Sequence, residues 1–121
     1  MVEEKNHQVY ISLTSEGKKR AGIFQIDELK IAKPKKWDGK WRILLFDISE
    51  KLKIKREALR GKLKELAFYQ LQKSVWIHPY DCRAEVELLQ DSFGLSTNEM
   101  RLIVAQDIKN DRTLREHFGL I

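Results

Sequence analysis

Apolar positions change their spacing along the chain, and these changes predict a succession of strands and helices. Four consecutive apolar residues, Ile43 to Phe46, are bounded by polar ones, as in a central strand covered on both faces. We predict this strand at 42–47, with Ser49 placed to cap the helix that follows. The apolar face predicted for that helix consists of Ile54, Ala58, Leu59, Leu63, Leu66 and Ala67.

Two short strands, a second helix and a fourth strand are predicted next. The strands lie at 69–72 and 74–78, where Val75 and Ile77 alternate with Trp76 and His78. Asp81 can cap the second helix, and Gly94 can end it. A fourth strand at 101–106 and a short helix at 114–118 complete the chain.

The order strand, helix, strand, strand, helix, strand predicts an α+β fold of the ferredoxin-like βαββαβ kind. Such a domain has an antiparallel four-stranded sheet with both helices on one face. The other face is then bare, so we expect the chain's own termini or a second copy to cover it. We expect Trp76 on that face.

Residues before this unit predict a β-hairpin followed by a helix. The strands are expected at 2–5 and 9–14, and Thr14 or Ser15 can cap a helix that begins near Glu16. Pro34 breaks the pattern and marks a linker. We therefore divide the chain into 1–35, the hairpin and linker helix, and 36–121, the βαββαβ domain.

Composition narrows the class of protein without deciding its function. The 121 residues, of which 42% are hydrophobic and 34% charged, are typical of one soluble globular domain with short appendages. No apolar run approaches the roughly 20 residues that span a bilayer, so we expect no membrane partner and a cytoplasmic location. Cys82 is the only cysteine, which excludes an intrachain disulfide.

Positive charge is concentrated in one predicted helix. The net charge is +5, and segment 51–64 holds a run of bases against the single acid Glu57. This asymmetry fits either a nucleic-acid-binding surface or a solvated helix face.

Two stretches of the chain, 37–50 and 69–77, resemble two related families. The strand ending in Asp47-Ile48, the basic helix and the Gln72-Lys73-Ser74-Val75-Trp76 strand resemble the CRISPR-associated endonuclease Cas-two family. The lead-in Trp37-Asp38-Gly39-Lys40-Trp41 is more similar to the central domain of PaaX-type repressors. Segment 13–19 is similar to the wing of a winged-helix domain, and we expect either a truncated N-terminus or a reading frame that keeps only the wing.

The resemblance implies a homodimer in which the two copies of Asp47 face each other and share Mg²⁺. Asp47 is thus the candidate catalytic and metal-binding residue, although a helix cap or strand end explains it equally well. His78 is a weaker acid–base candidate. Candidates for binding a DNA or RNA backbone are the basic residues expected on one solvent side of the helix: Lys53, Arg56, Arg60 and Lys64.

Three functions remain open. The first is a Cas-two-like dimer that acts in CRISPR spacer acquisition, an antiviral defence, with an integrase subunit as partner and Mg²⁺-dependent endonuclease activity. The second is the dimerisation domain of a truncated PaaX-like transcriptional regulator, and the third is a toxin-like ribonuclease. Chain size favours the first, which we prefer for the chain as given, and the lead-in with the residual wing favours the second.

Overall fold

The computed structural model describes residues 28–120 and the backbone of two strands near the N-terminus. These strands, β1 (Val2–Lys5) and β2 (Gln8–Ile11), pair antiparallel with Val2 opposite Ile11, which confirms the predicted hairpin. The predicted extension of the second strand to residue 14 and most of the helix predicted from Glu16 lie outside the described residues.

A four-stranded antiparallel sheet forms the centre of the described domain. It consists of β3 (Trp41–Phe46), β4 (Tyr69–Gln72), β5 (Val75–His78) and β6 (Met100–Ala105), in the order β4-β5-β3-β6. β3 pairs with β5 on one side and β6 on the other. The apolar run therefore forms a central strand, as predicted.

Three helices accompany the sheet: α1 (Lys53–Glu65), α2 (Arg83–Ser92) and α3 (Arg112–His117). A 3-10 turn, Glu50–Leu52, precedes α1, and Ser49 caps it through a hydrogen bond that Oγ accepts from the Lys51 N–H. Gly94, at a φ of +64°, follows α2 in the left-handed region that glycine adopts without strain. The mixed α+β class is confirmed. None of these helices is long and apolar enough to cross a bilayer.

Both α1 and α2 pack against one face of the sheet. Leu59 and Leu63 from α1 and Leu89 from α2 share a core with Leu44 and other sheet residues. The expectation for Trp76 is wrong, because it lies in this core, 1% exposed and stacked on Phe46 at 6.5 Å between ring centroids. Trp76 is opposite Leu44 in the β3–β5 register, so the two side chains lie on the same face.

Among residues 28–120, the second face is covered only in part, by α3. Trp41 and Ile77 are fully buried there against Leu114 of α3. Farther along the same face Leu45 is half-buried and Ile103 is 45% exposed. The chain's C-terminal helix thus covers one end of the face and leaves a partly apolar strip at the other.

The burial pattern of α1 differs from the predicted one. Ile54 is 88% exposed and Ala58 is exposed, whereas Leu59 and Leu63 are fully buried. Ile54 precedes Leu59 by five positions, which at 3.6 residues per turn places it about 140° around the helix. The predicted apolar face therefore combines residues that lie on two different sides of the helix, of which only one is buried.

Candidate functional site

A groove of about 230 Å³ lies where β3 ends and α1 begins. Asp47 follows β3 directly, and its backbone N–H donates to the Glu99 carbonyl at 2.8 Å, which fixes the chain at this point. The Asp47 side chain is exposed. The groove is lined by Phe46, Asp47, Ile48, Ser49, Glu50, Arg56, Arg60, Lys73 and Ser74.

Arg56 and Arg60 enter this groove from α1, one helical turn apart. Their side chains are only 20% and 18% exposed, and Glu57 is the acid beside them. Arg60 Nη1 donates to Glu57 Oε1 at 3.1 Å, but Arg56 Nε is 4.0 Å from that oxygen, beyond hydrogen-bonding distance. The prediction that these arginines project to solvent is wrong, because they lie along the flank of α1 that faces the sheet.

Lys53 and Lys64 occupy a different environment. Both are exposed, and neither lines the groove. The four basic candidates therefore form two pairs, one in the groove and one on the open surface of α1. Their role in nucleic-acid binding stays a prediction.

The described residues of one chain do not fit a resident Mg²⁺ site. Mg²⁺ requires near-ideal octahedral coordination by oxygen and is bound through carboxylates together with substrate phosphates. Of the residues that the structure describes, Asp47 and Glu50 are the only carboxylates that line the groove, and three cationic side chains line it with them. Within residues 28–120, no group of three or more His, Cys, Asp or Glu side chains could hold a metal ion.

The Trp37-Asp38-Gly39-Lys40-Trp41 lead-in packs against Arg42. The sequence pattern does not identify this arginine as a candidate. Arg42 donates two hydrogen bonds to the Asp38 carboxylate, at 2.6 and 2.9 Å, and a third to the Pro79 carbonyl at 2.8 Å. Hydrogen bonding from Arg42 lowers the pKa of Asp38 to about 2. The turn at Gly39, with a φ of +82°, brings Asp38 back over the start of β3.

The two tryptophans of the lead-in join it to α3. Their rings contact edge to face with centroids 4.9 Å apart. Trp41 Nε1 donates to Asp111 Oδ2 at 2.9 Å, and the Arg115 guanidinium lies 4.8 Å from the Trp37 ring centroid. We call the set Trp37, Asp38, Trp41, Arg42, Asp111 and Arg115 the lead-in clamp.

His78 and Cys82 are core residues. His78 is 4% exposed, and burial lowers its pKa to about 4. Its Nδ1 accepts a hydrogen bond from the Tyr80 N–H at 3.1 Å, an arrangement available to the neutral ring. Burial raises the pKa of the Cys82 thiol to about 12, which makes it a poor nucleophile.

Comparison with known families assigns the domain. Residues 34–116 match the family described as the PaaX protein central Cas2-like domain. The chain belongs to this family. The matched range begins just before the lead-in and ends within α3, so it contains the whole four-stranded sheet and every residue of the lead-in clamp. A comparison with curated proteins gives no match.

The clamp contains contacts that a search for catalytic motifs does not detect. Asp38 and Arg42 are four positions apart and of opposite charge, which was the available local signal. The bond from Trp41 to Asp111 joins residues 70 positions apart, and no local pattern indicates it. Tertiary packing alone therefore placed the C-terminal half of the clamp.

Proposed function

We propose that this chain supplies the central, dimer-forming domain of a PaaX-like transcriptional regulator. The observation that carries the proposal is the family match over residues 34–116. The same match gives no support to CRISPR spacer acquisition, to an integrase partner or to antiviral defence. The regulator is therefore the better-supported of the functions considered from the sequence.

We also propose that the domain has the ferredoxin-like topology. Viewed from the β6 edge, the sheet contains its fourth, first, third and second strands in turn, all antiparallel. Each βαβ pair then encloses one strand of the other pair, as in a split βαβ arrangement.

The strip left open by α3 is the surface proposed for the homodimer. Ile43 is opposite Ile77 and Ile103, and Leu45 is opposite Val75 in the adjoining row. Ile43, Leu45 and Val75 are half-buried, so apolar area remains at the surface. Association of two copies through this strip would remove that area from water.

Sedimentation velocity at micromolar concentration tests the dimer with a matched pair of variants. Ile103→Glu places a charge on the open strip and is expected to give monomers. Val104→Glu is the control, because Val104 is 42% exposed, close to the 45% of Ile103, but its side chain points to the opposite face of the same strand. Wild-type monomers, or equal dissociation by both variants, would contradict this interface.

Regulation itself is tested in the source cell. Deleting the gene should change the transcripts of a small set of genes, and chromatin immunoprecipitation of the natural full-length product should recover DNA beside them. An unchanged transcript profile would reject the regulator proposal while leaving the dimer intact.

Phosphodiester cleavage is a second candidate, favoured by the exposed Asp47 in a groove with two arginines. It requires two copies of Asp47 to meet across a dimer, since the described part of one chain supplies too few ligands. If Mg²⁺-dependent cleavage of DNA or RNA is detected, Asp47→Ala should abolish it, and Asp91→Ala, at an exposed carboxylate of α2, should not. Cleavage that survives Asp47→Ala would remove this candidate.

A further inference from the structure

We propose that the groove between α1 and the β4–β5 turn binds the phosphate group of a ligand that also carries hydroxyl or amino groups. This site goes beyond the proposed regulator function, which requires no ligand in this groove. It is assigned from the hydrogen-bonding capacity of Arg56 and Arg60 and from the mixed charge of the walls.

The two arginines are held in a position that leaves their Nε–H groups without an acceptor among residues 28–120. Both Nε–H groups are buried, and residues 28–120 provide no acceptor for either. Burying a donor without an acceptor is costly, and buried polar groups are normally paired. Among the described residues, Glu57, 52% exposed, is the one carboxylate within 4.0 Å of the two guanidinium groups, and only Arg60 hydrogen-bonds to it.

The opposite wall supplies further donors. Lys73 is exposed in the turn between β4 and β5, and its ammonium group can move on a flexible side chain. Ser74 and Ser49 also line the groove. Ser49 Oγ already accepts from the Lys51 N–H, so its own proton remains for donation to a ligand oxygen.

The carboxylates of the groove select against a simple anion. Asp47 and Glu50 line the same space as the three cations. Both accept hydrogen bonds and repel a bare phosphate, so they favour a ligand with donor groups near its phosphate. A sugar phosphate has this chemistry, and so does a nucleotide unit within a nucleic-acid strand. Two guanidinium groups suit the phosphate end, because arginine binds phosphate oxygens through paired N–H donors.

Calorimetric titration of the whole chain in phosphate-free buffer with EDTA tests the site without divalent metal. The probes are ribose 5-phosphate, ribose and inorganic phosphate, together with a short single-stranded oligonucleotide. Ribose 5-phosphate should bind more tightly than inorganic phosphate, and ribose should not bind. The double variant Arg56→Gln/Arg60→Gln should lower the affinity for ribose 5-phosphate by about tenfold or more.

The matched control is Lys53→Gln/Lys64→Gln, which removes the same charge from the same helix outside the groove. It should change that affinity by less than about twofold, because exposed charges are screened. Lys73→Gln, at an exposed turn, is the variant that does not threaten folding, and it should weaken binding severalfold. Asp47→Asn should strengthen binding of inorganic phosphate by removing repulsion.

The probes also distinguish a small phosphorylated ligand from a nucleic-acid backbone as the source of the phosphate group. Binding of ribose 5-phosphate, lost with the arginines, indicates a small phosphorylated ligand. Binding of the oligonucleotide alone, again lost with the arginines, indicates the backbone of a nucleic acid. Equal losses in the arginine and lysine double variants, or no binding of any phosphate probe at millimolar concentration, would overturn the site. Neither result bears on the dimer, which sedimentation measures separately.

Discussion

Arg42 lies at the start of the central strand, with a side chain that is 9% exposed and is neutralised by Asp38. Because Asp38 is 45% exposed, the pair is only partly removed from water. The lowered pKa of Asp38 means that it stabilises the fold above its usual pKa of 3.8, and that this contribution is lost as the pH falls towards about 2.

Asp38→Asn should therefore destabilise the domain at pH 7 by about 1–2 kcal/mol, since it leaves a buried guanidinium without its counter-charge. Urea unfolding measures the loss. Glu116→Gln is the control, because the Arg112–Glu116 pair is exposed (84% and 55%) and its loss should cost less than about 0.5 kcal/mol. Equal losses of stability in Asp38→Asn and Glu116→Gln would show that the burial of Arg42 does not depend on the charge of Asp38.

His78 gives a separate acid sensitivity. Its pKa is about 4 in the folded chain and about 6.5 in the unfolded chain, so the unfolded state binds the extra proton between these values. The free energy of unfolding should fall by about 1.4 kcal/mol per pH unit as the pH drops through this window, roughly 3 kcal/mol in total.

The variant His78→Phe should lose this slope, because phenylalanine does not titrate and suits an environment formed by Phe68, Tyr80 and Phe118. His117→Gln, at an exposed histidine of α3, should keep the slope. Urea unfolding at several pH values between 7.5 and 4 makes the comparison. A slope unchanged in His78→Phe would assign the titration to another group.

Among the elements, α1 is the one whose orientation determines which side chains line the groove. Its buried face centres on Leu59 and Leu63, with Arg56 and Arg60 at one border of that face. Long basic side chains can extend apolar stems over a core while their charged ends reach the surface. This explains how a helix rich in bases packs closely and still presents guanidinium groups to the groove.

The orientation of α1 predicts a large loss of stability from a substitution at Leu59 and a small one from a substitution at Ile54. Leu59→Ala should cost about 2–5 kcal/mol, because Leu59 is fully buried. Ile54→Glu should cost less than about 0.5 kcal/mol, since Ile54 is 88% exposed and an acid suits the first turn of a helix. Thermal unfolding of the two variants provides the measurement. A large loss in Ile54→Glu would restore the apolar face predicted from the sequence.

For the molecule as a whole, α3 decides how the second face of the sheet is covered. It buries Leu114 against Trp41 and Ile77, and the lead-in clamp joins it to residues some 70 positions earlier. Among residues 28–120, α3 therefore covers one end of this face and does not cover the strip proposed for the dimer.

Undocking α3 should expose an indole that is now fully buried. Leu114→Asp is expected to shift the tryptophan fluorescence to longer wavelength and to lower the free energy of unfolding by about 3 kcal/mol, because it places a charge in an apolar contact. Thr113→Asp, at an exposed neighbouring position, should change neither. Unshifted fluorescence in Leu114→Asp would show that Trp41 is buried without α3.

Local patterns were sufficient for the element order, because strand and helix periods, Gly94 and the Ser49 cap act over a few residues. The residues around Asp47 and the lead-in were also sufficient to indicate the family that residues 34–116 match. The face that each element buries was not available locally. Trp76 is in the core under the helices and Ile54 is exposed, contrary to expectation, because burial depends on which neighbours the sheet register and the helix rotation bring near. The groove and the lead-in clamp likewise arise from contacts between distant segments, and only the folded chain brings those segments together.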